Sequence, residues 1–435
     1  MDKMKPYFFK KSNVVLRGVL LGLFLTLMSN IGFVSDLSLQ AMPVYDKVPL
    51  SICSRGKACP APTFKKRRDP FQRPAFLDKT ESISSVASLN FSHLERGKFV
   101  VPFKNGLKTV YTLNPSLQNG MKGYLQKNRV PYGVFVAMDP HSGKILALVE
   151  HSSKEPRAKN LALRATYPAA SIFKLITASA AIEERQASPE TQIESVNRFR
   201  SVHTTLADAF AASDNNVFSE VALRYLNIKT LMGYANRFQF NQKIPFELPI
   251  QISRIKAEDS RIGLANLAAG FGDVGLSPLH AALIGSAIAN NGVMVTPCLI
   301  ERVISYAGKT ILECKPKVFA KAISPQTAMQ LRQMMGLTVT KGTAHRAFKS
   351  AWKEPALREI PMGGKTGSLT GGNPAGKVTW FVGMAPLDKP EVVISALIIN
   401  SVSRNWKIKA SDVAKEGFRS YFNAKRKGTS TLARG

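Results

Sequence analysis

Three short motifs follow one another in a fixed order along the 435-residue chain, and together they constrain its fold more than any other feature. They are Ser-Ile-Phe-Lys at Ser171 to Lys174, Ser-Asp-Asn at Ser213 to Asn215, and Lys-Thr-Gly-Ser at Lys365 to Ser368. A nucleophilic serine needs a base within hydrogen-bond reach, and acyl transfer also needs donors for a developing oxyanion. The set predicts a serine acyl-transfer site, so the fold must bring three distant segments into one cleft.

The first motif opens a predicted helix. Ser171 follows Tyr-Pro-Ala-Ala and begins an apolar, alanine-rich run that continues to Ile182. A spacing of three residues puts Ser171 and Lys174 on one face, and the free N–H groups of a first turn favour negative charge. Alone, the pair could be a capping serine beside a solvated lysine, and the same spacing recurs at Ser54 and Ser350. Order and context therefore decide its interpretation.

The second motif lies between two apolar runs, residues 205–212 and 217–223. Ser, Asp and Asn are ordinary turn residues, so this motif is weak by itself. Its setting predicts a loop between two helices that directs Ser213 and Asn215 into a cleft. Asp214, in the middle, is expected to point away from the cleft and is left out of the catalytic set.

The third motif follows a Pro-Met-Gly-Gly stretch and precedes a strand-like segment at residues 379–384. This context predicts that it lies on a sheet edge beside the site. A lysine and hydroxyl groups there would bind a substrate carboxylate, and Gly367 would let a substrate backbone approach closely.

Further segments extend the pattern, and they carry a resemblance to a known family. They are Thr112 to Gln118, Val136 to Pro140, Gly143 to Ala147, Gly270 to Gly272, Leu276 to Leu279, and Trp380 to Pro386. With the three motifs, they make the chain from about Lys108 to Tyr421 resemble the transpeptidase domain of penicillin-binding proteins. The resemblance implies an α+β, serine β-lactamase-like fold.

The resemblance also implies roles for the residues of the first two motifs. Ser171 would be the nucleophile and Lys174 its candidate base, kept neutral by burial and by the nearby charge of Lys365. Which group removes the serine proton is disputed within the family. Ser213 would relay the proton to the leaving amine, and Asn215 would hold the substrate amide and orient Lys174.

The third motif would complete the site. By the same resemblance, the backbone N–H groups of Ser171 and Ser368 would form the oxyanion hole. Lys365, Thr366 and Ser368 would recognise the carboxylate of a D-Ala-D-Ala stem peptide or of a β-lactam. No metal and no cofactor are expected.

Periodicity and composition predict the elements and domains. Strands at residues 134–138 and 144–149 would form a hairpin, followed by helices that include 279–289 and 325–337, strands at 379–384 and 391–399, and a final helix at 410–421. We therefore expect an antiparallel sheet flanked by helices, plus a helical subdomain, with the cleft between them. The predicted divisions are a cytoplasmic N-terminus (1–12), an anchor or signal (13–34), a linker and short pedestal (35–95), an entry segment that packs on the catalytic domain (96–130), the transpeptidase domain (131–423) and a basic flexible tail (424–435).

The N-terminal region predicts export. Residues 18–34 are an apolar stretch of 17 residues that follows five basic residues, which is just enough to span a bilayer as a helix. The positive-inside rule then predicts a single pass through the inner (cytoplasmic) membrane with a periplasmic or extracellular catalytic domain. A cleaved signal peptide is the competing interpretation.

Cysteines and charge refine the expected environment. The pairs Cys53 with Cys59 and Cys298 with Cys314 are disulfide hypotheses that suit an oxidising compartment. A formal charge of +31 can indicate nucleic-acid binding, but the exported topology and the absence of a nucleic-acid motif argue against it. Anionic envelope polymers, phospholipid headgroups or peptidoglycan are the favoured partners.

The leading hypothesis is a peptidoglycan D,D-transpeptidase that also binds β-lactams covalently. The alternatives are a D,D-carboxypeptidase or endopeptidase, and a β-lactam-responsive sensor or scaffold. A class A β-lactamase would carry Glu-x-x-x-Asn after Ser-Asp-Asn. Here the residue four positions after Glu247 is Gln251 and not Asn. The segment between anchor and domain predicts no glycosyltransferase module, which leaves a separate glycosyltransferase as a candidate partner.

Overall fold

A computed structural model describes residues 93–102, 106–197, 200–402 and 408–432. The strands in chain order are β1 (Leu94–Glu95), β2 (Lys98–Pro102), β3 (Lys108–Tyr111), β4 (Tyr132–Met138), β5 (Ile145–His151), β6 (Tyr167–Pro168), β7 (Gln192–Asn197), β8 (Arg200–Thr205), β9 (Ile255–Lys256), β10 (Asp273–Leu276), β11 (Val293–Val295), β12 (Ile300–Ile304), β13 (Thr310–Glu313), β14 (Val318–Lys321), β15 (Gly363–Gly371), β16 (Gly376–Ala385) and β17 (Val392–Asn400). The helices are α1 (Pro115–Lys127), α2 (Lys174–Glu183), α3 (Leu206–Ala212), α4 (Asn215–Tyr225), α5 (Ile228–Arg237), α6 (Arg261–Ala269), α7 (Pro278–Ala289), α8 (Pro325–Thr340), α9 (His345–Phe348) and α10 (Ala410–Leu432). Two 3₁₀ helices cover Ala170–Ile172 and Ala351–Lys353.

The main sheet has the strand order β15-β16-β17-β4-β5, and every neighbouring pair in it is antiparallel. Successive side chains on a strand point to opposite faces, so a central strand can feed two cores. On β17, Val393 and Leu397 pack with α7, whereas Ile394 and Ile398 pack with α1 and α10. Helices therefore cover both faces, and β15 lies at an edge of the sheet.

Helix α2 is buried along most of its length, from Lys174 to Ile182. Its alanine-rich sequence favours a helix, and its small side chains admit close neighbours. It packs against α4, α5, α6 and α8. The hydroxyl of Thr177 is satisfied inside this packing, since it donates to the carbonyl of Ala268 at 2.9 Å. The 3₁₀ helix Ala170–Ile172, just before α2, contacts β15, where the sheet and the helical subdomain meet.

A second five-stranded sheet has the order β1-β2-β3-β12-β13. A disulfide joins Cys298 and Cys314, which flank the β12–β13 hairpin. The N–H of Cys298 donates to the carbonyl of Gly143, and its carbonyl accepts from the N–H of Ile145, both at 2.9 Å. The disulfide therefore stands where this sheet meets the β4–β5 turn. The other hypothetical pair, Cys53 and Cys59, lies outside the described residues.

The expected α+β architecture is confirmed. The β4–β5 hairpin, the strands β16 and β17, and the helices α7 and α8 all occur where the periodicity predicts them, with bounds that differ by a few residues. The sheet combines strands from before and after the helical middle, as expected. Distant segments pair because the strands before and after the helices share the two apolar cores.

One expectation is corrected at the C-terminal end. The flexible tail expected over residues 424–435 is not observed across 424–432, because α10 continues to Leu432. The side chain of Phe422 is buried, Lys425 Nζ lies 2.5 Å from Glu391 Oε2, and Arg426 donates to the carbonyl of Pro355 at 2.6 Å. Lys425 and Arg426 therefore have partners that composition alone does not reveal.

The predicted anchor or signal, residues 13–34, lies outside the described residues, as does most of the predicted linker. Within the described ranges, no helix has both the length and the apolar character that a membrane span requires. Membrane attachment therefore stays a prediction from the sequence.

We predict that the disulfide contributes to stability. Replacing both of its cysteines (Cys298→Ser with Cys314→Ser) should lower the free energy of unfolding by about 3 kcal/mol, because the bridge closes a loop between residues separated by 16 positions. Equilibrium denaturation measures this loss. In the variant, a reductant should not destabilise the β12–β13 hairpin any more, because the bridge is already absent there. An unchanged denaturation midpoint, or free thiols at both positions in the oxidised protein, would contradict the prediction.

Candidate active site

Ser171 lies in the 3₁₀ helix that directly precedes α2, and not in the first turn of the α-helix as the sequence predicts. Ala170 has a φ of 50°, which is uncommon for a residue with a side chain. Gly270 supports this turn from outside, since a Cβ there would lie 2.2 Å from the carbonyl oxygen of Ala170. The conformation at Ser171 therefore depends on a tertiary contact. Ser171 itself is partly exposed to the cleft.

The amine of Lys174 has three hydrogen-bond partners. Its Nζ lies 2.9 Å from Ser171 Oγ, 2.6 Å from Asn215 Oδ1 and 2.7 Å from the carbonyl oxygen of Ala269. Two of these partners are amide carbonyl oxygens, which only accept hydrogen bonds. When the amine is neutral, its two hydrogens satisfy them, and its lone pair is left for the hydroxyl of Ser171. The geometry therefore fits Lys174 as the base that deprotonates Ser171.

Burial favours the neutral form of the Lys174 amine. The residue has no exposed surface, and this desolvation lowers its pKa to about 7, while the negative charge of Asp214 opposes the shift. The ring of Phe218 lies 5.5 Å from Nζ. The sequence predicts that burial and the charge of Lys365 act together here, but burial is the main cause in the structure.

Lys365 lies beside the Ser-Asp-Asn loop. Its Nζ donates to Ser213 Oγ at 2.8 Å and to the carbonyl of Thr366 at 3.1 Å, and the ring of Phe210 lies 5.4 Å away. Burial and repulsion from Lys174 lower the pKa of Lys365 well below its usual value. Ser213 is therefore in contact with an amine that can give or take a proton.

The Ser-Asp-Asn loop joins α3 to α4, as predicted. Ser213 ends α3 in a left-handed conformation with φ of 59°, and Asn215 is the first residue of α4. Asp214 caps α4, since its carboxylate accepts from the N–H of Val217 at 3.1 Å. The sharp reversal between the helices brings Ser213 to Lys365 and Asn215 to Lys174. Asp214 has a capping role, which agrees with its omission from the catalytic set.

The third motif occupies the edge strand β15. Thr366 and Ser368 stand at alternate positions there, partly exposed and exposed respectively, so one face of the strand presents two hydroxyls. Gly367 has a different contact from the one expected, because a Cβ there would lie 3.4 Å from the backbone nitrogen of Ile172 and 3.3 Å from its Cγ1. Its absent side chain lets the strand pack against the nucleophile turn. Whether it also admits a substrate backbone stays a prediction.

The structure thus brings all eight predicted site residues to one cleft between β15 and the helices α2, α3 and α4. The Ser-x-x-Lys spacing at Ser350 to Lys353 lies elsewhere, since Ser350 Oγ accepts from Lys415 on α10. Sequence reasoning missed Phe210, Phe218 and the carbonyl of Ala269. In the sequence, the two phenylalanines are marked only as apolar residues of predicted helices, which is a weak indication of a role at the site. A backbone carbonyl cannot be identified from the sequence at all.

Comparison with known proteins identifies the family. The family model described as the penicillin-binding protein transpeptidase domain matches residues 133–419, which is more than half of the chain. The chain belongs to this family. The solved D,D-transpeptidase domain of a peptidoglycan glycosyltransferase from Eggerthella lenta superimposes with a TM-score of 0.62 at 25% identity, over 73% of this chain and 83% of that one. The family and fold predicted from the motifs are therefore confirmed.

Two relatives show the extent of the likeness. The peptidoglycan D,D-transpeptidase PbpA of Mycolicibacterium smegmatis is 26% identical over 332 residues, which are 65% of this chain and 64% of that protein. Stage V sporulation protein D of Bacillus subtilis is 26% identical over 335 residues, which are 69% of this chain and 50% of that protein. The chain therefore spans between half and two thirds of the length of these relatives.

The state of Lys174 predicts a pH dependence. The rate at which penicillin labels Ser171 should rise about tenfold per pH unit below about pH 7 and level off above it, because only the neutral amine can accept the proton. Stopped-flow measurement of labelling across this range tests it. The variant Lys174→Arg, which stays charged, should react slowly throughout. A wild-type rate that does not change across pH 7 would remove Lys174 from the role of base.

Two glycines offer a matched test of the nucleophile turn. Gly270 and Gly272 have φ of 91° and 93°, but only at Gly270 would a Cβ meet Ala170; nothing lies within 4 Å of the Cβ position of Gly272. Gly270→Ala should slow labelling of Ser171 on the order of a hundredfold by displacing the turn. Gly272→Ala should cost about 1 kcal/mol of unfolding free energy with near-normal labelling. Equal labelling rates in the two variants would show that the Gly270 contact does not position Ser171.

Proposed function

We propose that this chain is a serine-type D,D-transpeptidase that cross-links peptidoglycan stem peptides through an acyl-Ser171 intermediate and that reacts covalently with β-lactams. The observation that carries the proposal is the set of three contacts at Lys174, which leaves its lone pair for the Ser171 hydroxyl. Relatives named peptidoglycan D,D-transpeptidase support the same activity.

In the acylation step, Ser171 Oγ attacks the carbonyl carbon of the D-Ala-D-Ala bond and its proton passes to Lys174. The oxyanion that forms would be bound by the backbone N–H groups of Ser171 and Ser368. Ser213 then gives its hydroxyl proton to the departing amine and takes another from protonated Lys365, whose Nζ it contacts. Terminal D-Ala leaves, and the remaining peptide is held as an ester on Ser171.

In the transfer step, an amine of a second stem peptide attacks this ester. The same groups act in reverse: a base takes the proton from the attacking amine, and Ser171 regains its own as the peptide leaves. If water attacked instead, the outcome would be carboxypeptidase or endopeptidase activity. The two reactions share the acyl-enzyme, so the acceptor separates them.

The carboxylate of terminal D-Ala would bind at the hydroxyls of Thr366 and Ser368 beside the buried amine of Lys365. Such an anion would lie at the edge of β15, where both hydroxyls are accessible. The dry surroundings of Lys365 strengthen its interaction with a bound anion, and binding would favour its protonated form.

For localisation, we propose a single-pass anchor in the cytoplasmic membrane with the catalytic domain on the periplasmic or extracellular side. The basic residues before the apolar stretch 18–34 support this orientation, and a disulfide between Cys298 and Cys314 suits an oxidising compartment. A separate glycosyltransferase is the partner that would supply the glycan strands to be cross-linked.

The nucleophile and base are testable with matched controls. Ser171→Ala should abolish covalent labelling by penicillin, and Lys174→Ala should slow it by roughly a hundred- to ten-thousandfold. Ser350→Ala and Lys353→Ala, at a Ser-x-x-Lys spacing away from the cleft, should label at the wild-type rate. Labelling that persists in Ser171→Ala would overturn the assignment of the nucleophile.

The acceptor is tested with the full-length chain in detergent, a D-Ala-D-Ala pentapeptide and an amine acceptor, followed by mass spectrometry. Cross-linked product is the expected result. Release of D-Ala without transfer would contradict transpeptidation and indicate a carboxypeptidase. A stable β-lactam adduct with neither product would indicate a sensor or scaffold.

A further inference from the structure

The hydroxyl of Thr343 lies at the cleft, in contact with the third motif. Its Oγ1 is 2.5 Å from Oγ1 of Thr366, and the Thr343 side chain is exposed while that of Thr366 is partly exposed. Thr343 belongs to the Lys-Gly-Thr segment that follows α8. None of the three motifs includes this segment, and the roles assigned above do not use it.

Three contacts hold the segment against α3, the helix that ends at Ser213. The N–H of Thr343 donates to the carbonyl of Ala211 at 3.0 Å, and so satisfies a carbonyl of the last turn of α3. Gly342 packs so tightly that a Cβ would lie 2.3 Å from the same oxygen. Lys341 Nζ lies 2.6 Å from Asp208 Oδ1. Thr343 is therefore fixed relative to both Ser213 and β15.

Either hydroxyl of this pair can be the donor, and in both cases one hydrogen is left over. Each hydroxyl has one hydrogen, so the pair shares one of two hydrogens and has one left for a ligand. Thr366 is on β15 beside Ser368, whereas Thr343 reaches it from the neighbouring loop. If Thr343 donates to Thr366, the remaining hydrogen is on Thr366 and can point to an anion, and a chain of two hydrogen bonds strengthens both.

We propose that Thr343 is a positioning residue of the carboxylate site: it donates to Thr366 Oγ1 and so directs the Thr366 hydroxyl at the C-terminal carboxylate of the donor peptide or at the carboxylate of a β-lactam. This role rests on the proposed function, since it assigns a further residue to the same substrate site. The ligand class is a carboxylate anion adjacent to the amide or lactam that is attacked.

The test compares the full-length wild type with Thr343→Val, which keeps the side-chain shape and removes the hydroxyl. The second-order rate constant for acylation of Ser171 is measured with benzylpenicillin and with its methyl ester, which lacks the anionic carboxylate. We expect Thr343→Val to lower the rate with the acid on the order of tenfold and the rate with the ester less than about twofold. Thr343→Ser, which retains a hydroxyl, should restore the rate with the acid.

The matched control is Thr340→Val, because Thr340 is exposed three residues earlier and its hydroxyl donates within α8, to the carbonyl of Gly336. It should change neither rate. Equal losses on acid and ester in Thr343→Val would indicate a structural effect and overturn the proposal, as would no loss on the acid or a wild type that does not distinguish the two compounds. A wild type that is not acylated at Ser171 would instead overturn the proposed function.

Discussion

The site depends on the removal of two lysine amines from water. Lys174 and Lys365 are both fully buried, and each amine faces an aromatic ring, Phe218 and Phe210 respectively. An ammonium group is costly in such surroundings, so the neutral form becomes available near pH 7 at Lys174. A neutral amine has a lone pair, and only then can it act on a serine hydroxyl. The apolar packing of α2, α3 and α4 is therefore part of the chemistry.

Close backbone contacts give the cleft its geometry. Gly270 lies against the turn before Ser171, Gly367 brings β15 against the same turn, and Gly342 brings the loop after α8 against the end of α3. At each of these positions a side chain would meet atoms of the opposing segment. The contacts at Gly270 and Gly342 leave no room for a side chain, and the contact at Gly367 is tight, so these glycines help to set the distances between nucleophile, amines and hydroxyls.

Much of this arrangement can be predicted from the sequence. The strict order of the motifs, the reversal at Ser213 to Asn215 and the edge position of Lys365 to Ser368 follow from local pattern and turn chemistry. Other features cannot be read from it. The carbonyl of Ala269 is a group that every residue has, so nothing marks it as a partner of Lys174, and the packing of α10 beyond residue 424 depends on contacts with Glu391 and Pro355.

The sequence by itself determined which residues carry the chemistry, the family to which the chain belongs and the alternation of helices and strands, because these depend on side-chain identity and on periodicity along the chain. The tertiary structure decided which three groups bind the amine of Lys174, that Gly367 packs against the turn before α2, and that Thr343 reaches Thr366. These depend on distances between segments far apart in the chain, and those distances are set by packing. Local sequence therefore specifies which residues form the site, and the whole fold specifies the distances between them.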